Sequence, residues 1–117
     1  MKKVKVPIFT EEYSVWVYIG SPKDVAREAR KYVESIDSNW GKVNRGRTYN
    51  GLPYKKHPLI IVNGDLPYFE ALATLAHEAS HAMDYIVEFI GLDDRSGEFR
   101  GHGIGAIMRI VGKSFKK

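Results

Sequence analysis

The sequence predicts an α+β domain, with a small antiparallel or mixed sheet packed against three helices. Three observations lead there. Short runs rich in β-branched and aromatic residues recur at residues 4–9, 13–19 and 57–63. A helix-start pattern stands at Ser21-Pro22-Lys23-Asp24. Residues 67–90 carry apolar side chains at helical spacing, and a second such stretch follows from about Glu98.

The bulk properties set bounds on this reading. A chain of 117 residues forms one domain, residues 1–117, with a modest core. Its 44% hydrophobic and 27% charged content are ordinary globular values. With no cysteine, disulfides and thiolate metal ligands are excluded, so a metal must use His, Asp or Glu. No apolar run reaches membrane-spanning length, and no long apolar core follows Met1-Lys2-Lys3. The cytoplasm is the expected compartment, and no membrane partner is expected.

In chain order, residues 4–9 and 13–19 read as two strands joined by a turn at Thr10-Glu11-Glu12. Pro7 suits an edge strand because it cannot donate a ladder hydrogen bond. Ser21 can cap the first helix, Pro22 fits its first position, and Asp24 favours the positive end of the dipole. That helix is expected to run to about Ile36, with Val25, Ala29, Tyr32, Val33 and Ile36 facing inward.

Residues 37–56 have no clear periodicity and read as a long loop pinned by Trp40. Tyr49 and Tyr54 lie there among Lys42, Arg45, Arg47, Lys55 and Lys56. Aromatics among cations can hold single-stranded nucleic acid or line a peptide cleft. Either tyrosine can donate to a reaction oxyanion. Residues 57–63 form the strongest strand, and if it is an edge an extended peptide can add to it. His57 reads as a solvated strand-end residue. A turn at Asn63-Gly64-Asp65 leads into the long helix, which closes at Gly91 as its C′ residue. The third helix runs to near Gly112. Its Gly101, Gly103 and Gly105 suggest close backbone approach to the long helix, and residues 113–117 read as a frayed basic tail.

The chemistry is concentrated in His77-Glu78-Ala79-Ser80-His81. Helical residues four apart are offset by about 40° and about 6 Å of rise, so His77 and His81 project from one face. Two imidazoles so placed can grip one Zn²⁺, and Glu78 can take a proton from a water on that metal. Two structural histidines with hydrogen-bond partners are the plainer alternative. A catalytic zinc needs a third protein ligand. Glu98 is favoured, with His102 one turn on as an oxyanion donor; His102 as ligand with Glu98 orienting it is the reverse assignment. Asp84 is placed to accept from a ligand imidazole or to stand exposed.

The motif, with Glu98 downstream, resembles the zincin metallopeptidases in the gluzincin style. The run from His77 to Ile86, then Glu88 to Leu92, then Gly97 to His102 with Ile104 to Ile107, more closely resembles small phage-encoded single-domain metallopeptidase-like proteins. That likeness covers about residues 58–111. It implies a minimal zincin with Zn²⁺ as cofactor and a peptide or protein as substrate, in the host cytoplasm if phage-encoded. Gluzincins often carry Asp four residues after the ligand Glu, where this chain has His102. The metzincin extension is absent, since Asp84 and Val87 stand at its positions. A His-Gly pair at 102–103 is similar to SprT-like proteases, whose third ligand is a histidine.

Charge is uneven along the chain. Residues 21–56 hold nine Lys/Arg against four Asp/Glu, net +5, and residues 57–99 hold one Arg against eight acids, net −7. The acidic block coincides with the proposed metal helix, which suits a cation. The basic block can meet an acidic partner or nucleic acid, though a solvated surface is the simpler account. The reading is therefore a zinc peptidase. A non-catalytic zincin-fold binding protein and a basic nucleic-acid-binding domain are its alternatives.

Overall fold

The computed structural model describes residues 1–33, 36, 40 and 44–115. Strands β1 (Lys2–Ile8) and β2 (Thr10–Gly20) pair antiparallel, and β4 (Leu59–Asn63) pairs parallel with β2 and antiparallel with β3 (Gly46–Tyr49). The sheet order is β1-β2-β4-β3, so the sheet is mixed. Helices α1 (Pro22–Ala29), α2 (Tyr68–Ile90) and α3 (Glu98–Val111) complete the α+β fold.

The hairpin turn falls on Phe9 alone, not on Thr10-Glu11-Glu12. Phe9 takes a left-handed φ of 62°, and Ile8 pairs with Thr10 across it. The register slips between Pro7, paired with Ser14, and Ile8, so residues 11–13 bulge from a continuous β2. Pro7 does lie on an edge strand, as among the described residues β1 pairs only with β2.

Two cores flank the sheet. Val15, Val17, Ile19, Ile60 and Val62 face α2 and α3, while Tyr18, Leu59 and Ile61 face α1 and Trp40. Leu59 to Val62 are fully buried on both sides, which explains the unbroken apolar run of β4. That strand is therefore central and offers no edge. The edge beyond it is β3, whose Gly-Arg-Thr-Tyr sequence carries little strand signal.

Ser21 caps α1 by accepting from the Asp24 amide, with Pro22 in the first turn. The helix stops at Ala29, short of Ile36. Tyr32 and Val33 amides both return to the Ala29 carbonyl, and the Tyr32 hydroxyl donates to the His57 carbonyl at 2.6 Å. That tie draws the chain out of the helical path. Trp40 is buried against α1, donating from Nε1 to the Pro22 carbonyl at 3.1 Å. The rest of the expected loop at 37–39 and 41–43 lies outside the described residues. So do residues 34 and 35, on the expected helix extension, and 116–117 of the tail.

Gly91 closes α2 with φ 75°, and the Leu92 amide reaches back to the Val87 carbonyl. Gly97, at φ 74°, opens α3. Asp94 caps that helix by accepting from the Phe99 and Arg100 amides at 3.1 and 3.0 Å. Of the three helix glycines, Gly103 alone is a close approach. A Cβ there would lie 2.3 Å from Met83 Sδ, whereas Gly101 and Gly105 face open space. Residues 112–115 are not frayed: Phe115 packs against the larger core, and Lys2 Nζ donates to the Ser114 carbonyl.

Candidate functional site

The exposed face of α2 carries His77 and His81 one turn apart. Their Nε2 atoms stand 3.2 Å from one another, with the rings nearly perpendicular at 87°. Between them in sequence, Glu78 turns toward the sheet and is 7% exposed. The Thr48 hydroxyl on β3 lies 2.8 Å from Glu78 Oε1 and 3.0 Å from the Glu78 carbonyl, so one proton serves two acceptors.

Gly46 allows this contact between β3 and α2. A Cβ at that position would sit 2.6 Å from Thr74 Cγ2 and 3.2 Å from Glu78 Cγ. Alternation along β3 puts Gly46 and Thr48 toward α2 and sends Tyr49 to the opposite face. Two open hollows meet at Glu78. The larger, about 630 Å³, runs past His77, Thr74 and Ala73 to Phe69, which is 80% exposed. An Arg45–Glu70 ion pair at 3.6 Å lies on its rim. The smaller, about 300 Å³, is bounded by His81, Thr48 and Tyr85.

The other expected site residues are elsewhere. Glu98 stands exposed on the first turn of α3. His102 stacks on Phe9 with ring centroids 4.4 Å apart, and Phe99 joins that stack. Asp84 is bound by Arg100, whose Nε lies 2.6 Å from Asp84 Oδ1 and whose Nη1 reaches Asp94. Among the described residues no histidine donates to it, and it stands exposed. Tyr49 and Tyr54 line a different cleft, away from Glu78. The tyrosine beside the histidines is Tyr85, which the four-residue step from His81 would have marked. Thr48 and Gly46 had no such signal. His57 is part-buried, and its Nδ1 accepts from the Ser14 amide at 3.2 Å. Burial, with Lys5 nearby, holds its imidazole below the usual histidine range.

The donor set fits a zinc ion in part. Two nitrogens on a tetrahedral Zn²⁺ at about 2.0–2.1 Å are about 3.3 Å apart, close to the separation of the two imidazoles. Two neutral imidazoles sharing one proton would also stand at that distance. Among the described residues, no group of three or more His, Asp or Glu is arranged to hold a metal. His77 and His81 thus form two corners of a site, and neither Glu98 nor His102 supplies a third in this arrangement. Comparison with family models, curated proteins and solved structures finds no match, so the likeness to zincins rests on the motif residues alone.

Proposed function

We propose that this chain is a zinc-dependent peptidase hydrolysing a peptide or related amide bond. One observation carries the reading: two imidazole nitrogens 3.2 Å apart on a helix face, with the intervening carboxylate shielded in a cleft against an edge strand. His77 and His81 would hold the metal; Glu98 is the proposed third ligand with His102 the other candidate, although neither stands with the histidine pair in this arrangement. When bound, zinc supplies Lewis acidity to a water and to the substrate carbonyl. Glu78 accepts the water's proton and returns it to the leaving nitrogen. Thr48 occupies Oε1, which leaves Oε2 for that transfer. Strand β3 ends the sheet among the described residues, so an extended peptide could add beside Gly46 and Thr48, next to Glu78.

The test is zinc content of the purified protein and of His77→Ala, together with cleavage of a quenched peptide library by wild type and Glu78→Gln. One zinc per chain, lost in His77→Ala, with cleavage abolished by Glu78→Gln, supports the proposal. Turnover surviving in Glu78→Gln overturns the role of that residue. Among the described residues no third ligand joins the histidine pair, which favours a second reading, a zincin-like scaffold that binds without cutting. Stoichiometric zinc with no cleavage would support it.

A further inference from the structure

The sheet face turned away from α2 carries a second cleft. Tyr49 and Arg47 alternate onto that face of β3, with Arg47 Cζ 5.4 Å over the Tyr49 ring. Tyr32 approaches from the end of α1, held by its hydroxyl bond to the His57 carbonyl. A short 3₁₀ turn, Leu52–Tyr54, follows β3. Gly51 is required at its start, because a Cβ would fall 2.7 Å from the His57 carbonyl oxygen. Lys55 then takes a left-handed φ of 61°, and the Lys56 amide returns to the Gly51 carbonyl. The outcome is a fixed loop that holds Tyr54 77% exposed and sets Lys56 Nζ 5.4 Å over the Tyr32 ring. Together Tyr32, Tyr49, Tyr54, Asn50 and Lys56 surround a hollow of about 380 Å³.

This cleft differs electrically from the histidine face. Lys56 lines it, Lys55 is next in sequence and Arg47 lies over Tyr49, with no Asp or Glu among residues 46–56, whereas Arg45 pairs with Glu70 on the other face. Among the described residues, no carboxylate pairs with Arg47 or Lys56. By contrast, Arg27, Lys31 and Lys3 are all matched to acids around α1. Aromatic walls suit a flat π-system, and beside them Lys56, whose Nζ donates to the Tyr32 carbonyl at 2.8 Å and meets no carboxylate among the described residues, suits a phosphate. We propose that the tyrosine cleft binds a nucleobase together with its phosphate. A free nucleotide and a single strand of nucleic acid present the same chemistry. The site lies on the opposite sheet face from Glu78 and does not depend on the peptidase reading.

The experiment measures fluorescence anisotropy of a fluorescein-labelled twelve-residue thymidine oligonucleotide at low salt, with thymidine monophosphate as competitor. Saturable binding is expected, weakened at least about fivefold by Tyr54→Ala, whose exposed position spares the fold. Lys56→Gln should weaken binding and reduce the slope of log K against log salt by about 0.7. Arg109→Gln, an equal charge change on exposed α3, should leave affinity unchanged. Competition by the mononucleotide identifies a single nucleotide as sufficient, and oligonucleotide binding without competition identifies the strand as ligand. The proposal is overturned if neither ligand binds saturably, if Tyr54→Ala and Lys56→Gln bind like wild type, or if Arg109→Gln weakens binding as much as Lys56→Gln.

Discussion

Thr48 Oγ1 on the edge strand lies 2.8 Å from Glu78 Oε1 on the long helix, across 30 residues of chain. The bond ties β3 to α2 at the one carboxylate of the helix that is buried. Replacing Thr48 with valine keeps the shape and removes the proton donor. The expected cost is about 1–2 kcal/mol, read as a lower urea midpoint with unchanged slope. If Glu78 is the proton carrier, kcat should fall more than KM changes, because the carboxylate loses its fixed orientation.

Zinc binding separates the candidate third ligands. Free zinc at about 100 times its Kd should add about 2.7 kcal/mol of stability, visible as a raised melting midpoint. That rise should vanish in His81→Ala. It should shrink in Glu98→Gln and persist in His102→Gln, because His102 is engaged with Phe9. A larger loss in His102→Gln would reverse the assignment.

The helix glycines make a paired test of packing. Gly103→Ala should destabilise by about 1–3 kcal/mol, because its methyl group would strike Met83, which is fully buried. Gly101→Ala and Gly105→Ala meet nothing within 4 Å. Each should stabilise α3 by about 0.5–1 kcal/mol through helix propensity. Chemical denaturation of the three variants gives the ordering directly.

His57 makes stability depend on pH. Its neutral Nδ1 accepts the Ser14 amide, and its folded pKa lies below the unfolded one. The unfolded chain therefore binds more protons between the two values. Stability is full above about pH 6.5 and declines as pH falls through the lowered folded value. A His57→Gln variant should show a flatter melting profile over that window.

Asp94 acts lower on the scale. Its carboxyl is held below the usual range, first by the Arg100 amide and then by the Phe99 amide and the Arg100 guanidinium. This stabilisation is present above about pH 4 and disappears as pH falls through the depressed value. Asp94→Ala should lower the melting midpoint by about 5 °C at neutral pH. Hydrogen exchange should quicken at the start of α3, where the cap is lost.

Much of this was legible in the residues. Ser21-Pro22-Asp24, Gly91 and the helical period of α2 are local signals, and each element they mark is present. The His77–His81 juxtaposition follows from helix geometry alone. The features that were hidden depend on distant partners. Strand β3 has no apolar alternation because only Thr48 is buried in its middle. Helix α1 ends early because Tyr32 finds a carbonyl 25 residues away. Arg100 also links α3 to α2 by joining Asp84 to Asp94, and no spacing rule announces that link.

The parallel pairing of β2 with β4 bears on how the chain reaches this structure. Trp16 meets Leu59 and Gly20 meets Asn63, so each rung joins residues 43 apart. The β1–β2 hairpin closes around one residue and can form early, but the centre of the sheet needs a long loop closed first. Refolding should therefore be limited by the docking of β4. The transition state should hold the hairpin and the long helix, with β3 added last along the outer rail of the sheet.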